Sequence, residues 1–170
     1  MSSDHVDAVF PAAVFPGIEA RNLEGRVFKL PADFEADWNV VLIAFQQWHQ
    51  DLVDSWMPFL GQLQASYPAL CVYEMPTISN LYSLARPFID GGMAAAIRSK
   101  QVRERTLTVY TNLANVVRPL QIASTETITL VLVDRAGRVG WRCIGGYTVD
   151  QATSLERAVV HAFAQAGAGS

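Results

Sequence analysis

A continuous apolar strand that leads directly into a helix constrains the fold of this chain more than any other feature. Residues 39–45 are almost entirely apolar, which is typical of a strand buried on both faces in the middle of a parallel sheet. Residues 47–66 then carry apolar side chains at helical spacing, and residues 69–75 form a second apolar strand. Such a strand–helix–strand unit is right-handed when its strands are parallel. We therefore predict an α/β protein built around residues 39–45.

The other segments add a hairpin on each side of this unit and an irregular insert. Turn residues separate the short strands 18–21 and 27–30, and an Asp-x-x-Gly connector joins strands 127–133 and 139–144. The insert between residues 76 and 105 contains two helical stretches that a breaker segment, residues 86–92, separates. A final helix extends to about Gln165. We predict one domain, residues 13–166, with loose tails at residues 1–12 and 167–170.

Composition and charge exclude several classes of function. The 170 residues carry a net charge of −3, which gives no basic field for nucleic acid or anionic lipid. No apolar run approaches the roughly 18–20 residues that a membrane helix needs. Three histidines and two cysteines are scattered at spacings that match neither a metal site nor a disulfide framework. The acidic N-terminus lacks a basic signal region, so we expect a cytoplasmic protein without cofactors.

The order of these segments and three short motifs resemble the thioredoxin-like superfamily. The motifs are residues 22–27, 41–48 and 131–139, and the match extends over roughly residues 14–165. The resemblance implies a three-layer sandwich with a βαβ-ββα core. The N-terminal hairpin and the helical insert are similar to those of the peroxiredoxin and thioredoxin-like-reductase branches.

Within that superfamily, the C-terminal hairpin is similar to the mitochondrial ATPase assembly factor family. The similarity rests on residues 134–141, which read Asp-Arg-Ala-Gly-Arg-Val-Gly-Trp, and on the Gly145-Gly146 pair that follows. Residues 73–76 and the stretch to Met93 are similar in character. Members of that family also have a thioredoxin-like domain without a Cys-x-x-Cys motif. The similarity therefore implies a chaperone-like role in assembly.

The resemblance to thioredoxins also reveals what this sequence lacks. Thioredoxins carry Trp-Cys-x-x-Cys where the central strand enters its helix, whereas here Trp48 is followed by His49 and Leu52 at the two cysteine positions. Ile128 replaces the cis-proline that faces the motif, so we expect trans peptide bonds in that loop. Disulfide exchange needs an attacking thiolate, which an imidazole cannot replace. We therefore assign no catalytic residue.

The carboxyl ends of the strands form the candidate binding edge, because open α/β sheets bind ligands there. We assign six residues to this edge: Trp48, His49, Asp51, Leu52, Glu74 and Ile128. His49 is either a polar site residue or a solvent-facing residue of the first helical turn, where Asp51 is then a simple helix-start acid. A small-ligand or metal site at His49 is a further alternative. Trp48 either packs in the core with Trp56 or stays partly exposed and anchors a partner peptide.

Four basic residues follow the breaker segment within eight positions. They are Arg98, Lys100, Arg103 and Arg105. The cluster is either the solvated end of a helix or a docking patch for an acidic partner.

Together these observations favour a binding module over an enzyme. The leading hypothesis is a non-catalytic binding or assembly module for a protein partner, and the sequence is also compatible with a homo-oligomer. The alternative is a divergent peroxidase or thiol oxidoreductase that uses Cys71 or Cys143. Both cysteines lie in predicted strands on opposite sides of residues 39–45, too far apart to pair, so we expect two buried structural thiols.

Overall fold

A seven-stranded mixed sheet organises the chain in a computed structural model that describes residues 13–168. The strands are β1 (Ile18–Asn22), β2 (Val27–Leu30), β3 (Trp38–Ala44), β4 (Leu70–Ser79), β5 (Leu107–Thr111), β6 (Thr129–Asp134) and β7 (Val139–Ile144). The α-helices are α1 (Gln50–Ser66), α2 (Arg86–Ala96), α3 (Lys100–Glu104), α4 (Ala114–Val117) and α5 (Val149–Ala168). Two 3₁₀ helices, Gln47–His49 and Asn80–Ala85, precede α1 and α2.

Strand β3 lies in the interior of the sheet, as its apolar sequence predicts. The strand order is β2-β1-β5-β4-β3-β6-β7, in which β3 pairs with β4 in parallel and with β6 antiparallel. Alternate β3 side chains enter two separate core clusters, Val40 and Leu42 on one face and Val41 and Ile43 on the other. A strand that must fill two cores has no solvated face, which explains why its sequence does not alternate.

The two faces of the sheet are covered by different layers. On the Val40 face, α1 and α5 bury Trp56, Leu60 and Leu155 against the sheet. On the Val41 face, the cover consists of Phe15, Phe34 and the residues in and after α4. This is the three-layer α/β arrangement with a βαβ-ββα core that the sequence predicts. Within residues 13–168, no helix combines the length and the apolar character that a bilayer-spanning segment requires.

The C-terminal hairpin forms as its Asp-x-x-Gly connector predicts. The Asp134 carboxylate accepts hydrogen bonds from the backbone N–H groups of Ala136 and Arg138, at 3.0 and 2.8 Å. Gly137 has a φ of +86°, and a Cβ at this position would lie 3.1 Å from the carbonyl oxygen of Phe15. Only glycine fits this turn without strain, because both the dihedral and the space exclude a side chain.

The insert departs from the prediction. Strand β4 continues to Ser79. The expected breaker segment, residues 86–92, is helical and forms most of α2. Pro87 is compatible with a helix since it lies in the first turn, where its missing N–H has no helical partner to lose. At the ends of the chain, the predicted tail 1–12 lies outside the described residues. Residues 167 and 168, predicted as tail, belong to α5.

Candidate functional site

His49 lies inside the turn between β3 and α1 and not on its surface. Its side chain is 0% exposed, and Nδ1 accepts hydrogen bonds from the N–H groups of Phe45 at 3.0 Å and Gln46 at 3.3 Å. The expectation of a solvent-facing histidine is wrong because a 3₁₀ turn precedes α1 and brings the ring back onto the strand end. There the imidazole satisfies two backbone donors that the turn leaves without carbonyl partners.

The hydrogen bonds of His49 also define what its other ring nitrogen can do. A neutral imidazole whose Nδ1 accepts hydrogen bonds carries its hydrogen on Nε2, which is buried and has no acceptor among the described residues. A metal ion requires a ring nitrogen with an available lone pair, and this tautomer offers none. Within residues 13–168, no three His, Cys, Asp or Glu side chains gather where they could hold a metal ion. The geometry therefore does not favour the metal-site alternative.

Trp48 stays partly exposed, as one of the two interpretations predicts. Its side chain is 54% exposed and its ring meets the His49 ring edge-on at a centroid distance of 4.4 Å. The indole Nε1 donates to Oε1 of Gln46 at 3.0 Å, which fixes the orientation of the ring. Core packing is wrong for Trp48 but describes Trp56, which is buried and donates from Nε1 to the carbonyl oxygen of Gly145.

Leu52 and Ile128 both pack into the core cluster on the Val40 face of the sheet. Leu52 is half-buried, and a Cβ built on Gly146 would lie only 3.2 Å from its Cδ2 atom. Ile128 is buried in the core, and its carbonyl oxygen accepts from the N–H of Gly145 at 2.9 Å. Its peptide bonds are trans, as expected, since the cis peptide bond among the described residues is Leu30–Pro31. Both side chains therefore belong to the packing behind the turn and α1, and not to its exposed surface.

Asp51 and Glu74 occupy different environments. Asp51 is exposed in the first turn of α1, where a carboxylate complements the helix dipole. Glu74 lies opposite Leu42 of β3. It is not at the end of its strand, since β4 continues for five residues beyond it. Burial raises the pKa of the Glu74 carboxyl, and the nearby Asp54 carboxylate raises it further. Glu74 therefore lies partly buried beside α1, short of the edge.

The two cysteines lie far from the turn and from each other. Cys71 is on β4 and Cys143 on β7, and the two strands are separated by β3 and β6. At about 4.8 Å per strand, the separation is roughly 14 Å, so the prediction that they do not pair is confirmed. Burial raises the pKa of the Cys143 thiol to about 12. The Cys71 sulfur, half-buried, accepts a hydrogen bond from Nη1 of Arg105 at 2.9 Å.

The four basic residues of the predicted docking patch do not share one surface role. Arg103 donates to Glu24 at 2.6 Å and to the carbonyl oxygens of the two residues that follow α2, so it fastens the insert to the first hairpin. Arg105 contacts Cys71 and pairs with Glu35 at 3.4 Å. Arg98 and Lys100 remain exposed, and Lys100 pairs with Glu104 at 3.5 Å. Two of the four therefore remain accessible to an acidic partner.

The insert exposes a group of large apolar side chains that sequence reasoning missed. We call it the insert surface, and it consists of Leu81, Tyr82, Leu84 and Phe88. Leu84 is 98% exposed and Phe88 is 86% exposed, which is unusual for such residues. The available signal was the near absence of charge from residue 80 to 97, where only Arg86 and Asp90 are charged.

Solved structures establish the fold of this chain as thioredoxin-like. A thiol:disulfide interchange protein from Bacteroides sp. matches with a TM-score of 0.57 at 17% identity, over 85% of this chain and 86% of that chain. Yeast Sco1 with copper bound matches with a TM-score of 0.56 at 13% identity, over 89% and 93%. Arabidopsis thaliana ScoI with copper bound gives 0.56 at 10% identity, over 88% and 99%.

Comparison by sequence adds nothing to this assignment. No protein-family model matches the chain, and no curated protein sequence matches it. At identities below 20%, the structural similarity describes the scaffold, and function must be argued from the residues at the site. The chain therefore has a thioredoxin-like fold, and the turn between β3 and α1 carries a buried imidazole.

Proposed function

We propose that this protein is a non-catalytic binding or assembly module, which holds a protein partner at the carboxyl edge of its sheet. The observation that carries the proposal is the enclosure of His49. Its ring is buried and hydrogen-bonded to the turn at the position where thiol–disulfide proteins of this fold present their nucleophile. A turn closed in this way has no nucleophile to offer, whereas its surface shape is retained.

The exposed residues of the edge support recognition of a protein. Trp48 lies over the closed turn with more than half of its surface in solvent, and its Nε1 hydrogen bond holds the ring in one orientation. A rigid, exposed aromatic ring is the kind of residue that dominates binding energy at protein interfaces. Asp51 is exposed one turn away and can orient a partner by charge. Leu52 and Ile128 pack in the core beneath this edge, and Glu74 lies farther back beside α1.

Two further observations support the assembly role and the cellular location. The resemblance of residues 134–141 and Gly145-Gly146 to the ATPase assembly factor family supports a chaperone-like role in assembly. Two cysteines that form no disulfide are compatible with a reducing compartment, which supports action in the cytoplasm. The copper named with Sco1 and ScoI belongs to those proteins, and the ring tautomer of His49 argues against the same chemistry here.

Activity assays separate this proposal from redox catalysis. We expect no insulin reduction and no peroxide consumption when a thiol reductant is supplied to the wild-type protein. Turnover that disappears in Cys71→Ser or Cys143→Ser would reject the binding module. For the binding side, a candidate partner captured by the wild type should bind at least about tenfold more weakly to Trp48→Ala, since aromatic anchors contribute about 2 kcal/mol or more.

One contact favours the alternative function, a thiol oxidoreductase that acts through Cys71. The Arg105 guanidinium lies 2.9 Å from the Cys71 sulfur, and a cation at that distance stabilises a thiolate. Glu35 pairs with the same guanidinium at 3.4 Å and offsets part of its charge. Cys143 is a poor candidate because burial raises its thiol pKa to about 12. The Cys71→Ser assay above therefore decides the alternative.

A further inference from the structure

The segments that surround Trp48 carry carboxylates and no lysine or arginine. Between Lys29 and Arg86 the chain contains neither basic residue, and this stretch includes β3, α1 and β4. Residues 119–134, which lead into β6 and form it, contain none either. Three exposed carboxylates lie at the start of α1 and just before β6, and we call them the acidic edge: Asp51, Asp54 and Glu126.

Hydrogen bonds connect the Trp48 ring to this edge. The Gln46 side chain joins two of its residues, because Oε1 accepts from Nε1 of Trp48 at 3.0 Å and Nε2 donates to Oε1 of Glu126 at 3.3 Å. Asp51 follows Trp48 by three residues, in the first turn of α1. The exposed ring therefore has a carboxylate near it on each of two segments, the start of α1 and the loop before β6.

No cation of the fold offsets these charges. Asp54 accepts from Nε2 of Gln50 at 2.8 Å, and the Glu74 carboxyl lies behind it. Burial raises the pKa of Glu74, and the Asp54 carboxylate raises it further. Within residues 13–168, the ion pairs include neither the acidic edge nor Glu74. Carboxylates without a counterion produce a negative potential, which favours an arriving cation.

Arg86, the first basic residue after Glu74 along the chain, is neutralised within the fold. It donates to the Asp90 carboxylate at 3.2 Å and to the carbonyl oxygen of Thr108 at 3.2 Å. Asp90 also accepts from the hydroxyl of Tyr110 at 2.8 Å and from Thr108 at 3.0 Å. Only 20% and 17% of the Arg86 and Asp90 side chains are exposed. This network fastens α2 to β5 and leaves the acidic edge uncompensated.

Basic residues are instead concentrated at the opposite end of the sheet. The β6–β7 connection lies there, since Asp134 pairs with Trp38 at the start of β3, and it contains Arg135 and Arg138. The segment before β5 contributes four more, namely Arg98, Lys100, Arg103 and Arg105. The protein is therefore polarised along its strands, and its net charge of −3 understates the negative charge around Trp48.

We infer that Trp48 and the acidic edge bind a basic segment of a protein partner, in which an arginine packs on the indole ring. The inference rests on the proposed binding function and specifies the partner's chemistry. Nε1 of Trp48 already donates to Gln46, so the ring offers its π surface. Ionised carboxylates only accept hydrogen bonds. A guanidinium satisfies both, because it stacks on aromatic rings and carries five N–H donors.

The same groups disfavour other ligands. An acidic segment, a nucleic acid or an anionic membrane would bring like charge to the edge. A metal ion needs several ligands at one point, and within the part of the chain that the structure describes no three His, Cys, Asp or Glu side chains gather in this way. A lysine is a compact charge and cannot stack and bridge as a guanidinium does. Arginine therefore fits this surface best.

An arginine peptide tests this inference. The probe is a labelled peptide in which arginine alternates with serine, and fluorescence anisotropy should report saturable binding to the wild-type protein. We expect the Kd to rise about fivefold in Trp48→Ala, since cation–π contacts at exposed sites contribute about 1 kcal/mol. In Asp51→Asn/Glu126→Gln we expect a rise of about threefold or more. Added NaCl should weaken binding to the wild type, because salt screens exposed charges.

Matched controls separate this site from general attraction between opposite charges. Glu19→Gln removes an exposed carboxylate of β1, outside the acidic edge, and should leave the Kd unchanged. Phe88→Ala removes an exposed aromatic ring from α2 and should also have no effect. A peptide with citrulline at each arginine keeps the planar group without its charge and should not bind. Circular dichroism checks the fold of each variant.

Two results with the probe would overturn the inference. One is equal affinity of the wild-type protein for the arginine and the citrulline peptides. The other is equal affinity of the wild type and Asp51→Asn/Glu126→Gln for the arginine peptide. A Glu19→Gln effect as large as that of the double variant would also overturn it, because binding would then follow net charge alone.

Other occupants of the edge give distinguishable outcomes. Calcium binding that Asp51→Asn/Glu126→Gln abolishes, without peptide binding, would assign the edge to a metal ion and overturn the inference. Self-association that the same variant abolishes, without peptide binding, would assign it to the basic end of a second copy. A captured partner that binds more weakly to Trp48→Ala but equally to the double variant would overturn the inference and leave the proposed function standing. Thiol turnover in the assays above would reject the proposed function itself.

Discussion

The turn after β3 and the insert after β4 distribute polar and apolar groups in opposite ways. At the turn, the titratable ring of His49 is enclosed and its Nδ1 is hydrogen-bonded. At the insert, Leu84 and Phe88 are almost fully exposed. The two segments leave neighbouring strands at the same edge of the sheet, where ligands bind in open α/β folds. A polar ring is therefore buried at the turn, whereas apolar side chains face solvent at the adjacent insert.

The two segments are held in place in different ways. The turn is fixed by an imidazole that accepts hydrogen bonds from two backbone N–H groups. The insert keeps its attachment to β5 through the Arg86–Asp90 network, so its apolar residues do not need to be buried for it to stay in place. Rigid support and exposed apolar area are what a binding surface requires.

The largest expected effect is the loss of stability in Asp90→Ala. In Asp90→Ala, the guanidinium of Arg86 and the hydroxyls of Thr108 and Tyr110 lose their shared acceptor. Removing one partner of a largely buried pair leaves the other uncompensated, so we expect a loss of about 3 kcal/mol. Urea denaturation measures the loss, and hydrogen exchange should quicken most in α2.

Asp51→Ala serves as the matched control for Asp90→Ala, since Asp51 is an exposed acid in the first turn of α1. Its effect should stay within about 0.5–1 kcal/mol, the range of a surface charge near a helix dipole. If Asp90→Ala were no more destabilising than Asp51→Ala, the network would not be what attaches the insert.

A smaller loss of stability is expected from His49→Ala in the turn between β3 and α1. His49→Ala removes the acceptor of the Phe45 and Gln46 N–H groups, and each lost hydrogen bond contributes about 1 kcal/mol. We therefore expect a destabilisation of about 2 kcal/mol in chemical denaturation. Gln47→Ala, an exposed neighbour in the same 3₁₀ turn, should be nearly neutral. A neutral His49→Ala would contradict the structural role of the ring.

The smallest effect is a gain in stability. Gly92→Ala adds a Cβ in open space within α2, and helix propensity favours alanine by about 1 kcal/mol. Gly61→Ala in α1 should give a similar gain and provides the reference, because its surroundings are equally open. Thermal unfolding measures both. A loss of stability in Gly92→Ala would mean that the glycine serves internal packing, contrary to the open space around it.

Local sequence signals were sufficient for the sheet and insufficient for the site. The apolar run at residues 39–45 and the helical spacing after it depend on short stretches, so β3 and α1 could be predicted. The burial of His49 could not, because the direction of its ring depends on a single 3₁₀ turn and on two backbone donors. Spacing alone does not encode such a detail.

The helix in the insert illustrates the same limit for longer-range contacts. Pro87, Gly91 and Gly92 disfavour a helix locally, which is why residues 86–92 read as a breaker segment. The contacts that stabilise α2 join Arg86 and Asp90 to β5, about twenty residues later in the chain. Exposed apolar residues such as Leu84 are equally hidden, since sequence patterns assume that leucine is buried.

The enclosed imidazole makes it difficult to place a thiol in this turn by single substitutions. Cysteine at position 49 alone would leave the amides of Phe45 and Gln46 without their acceptor, and cysteine at position 52 would open a gap beside Gly146. Each of these single substitutions would therefore lower stability. A thiol pair introduced into this turn would need a second acceptor for the two amides and a larger side chain next to Gly146.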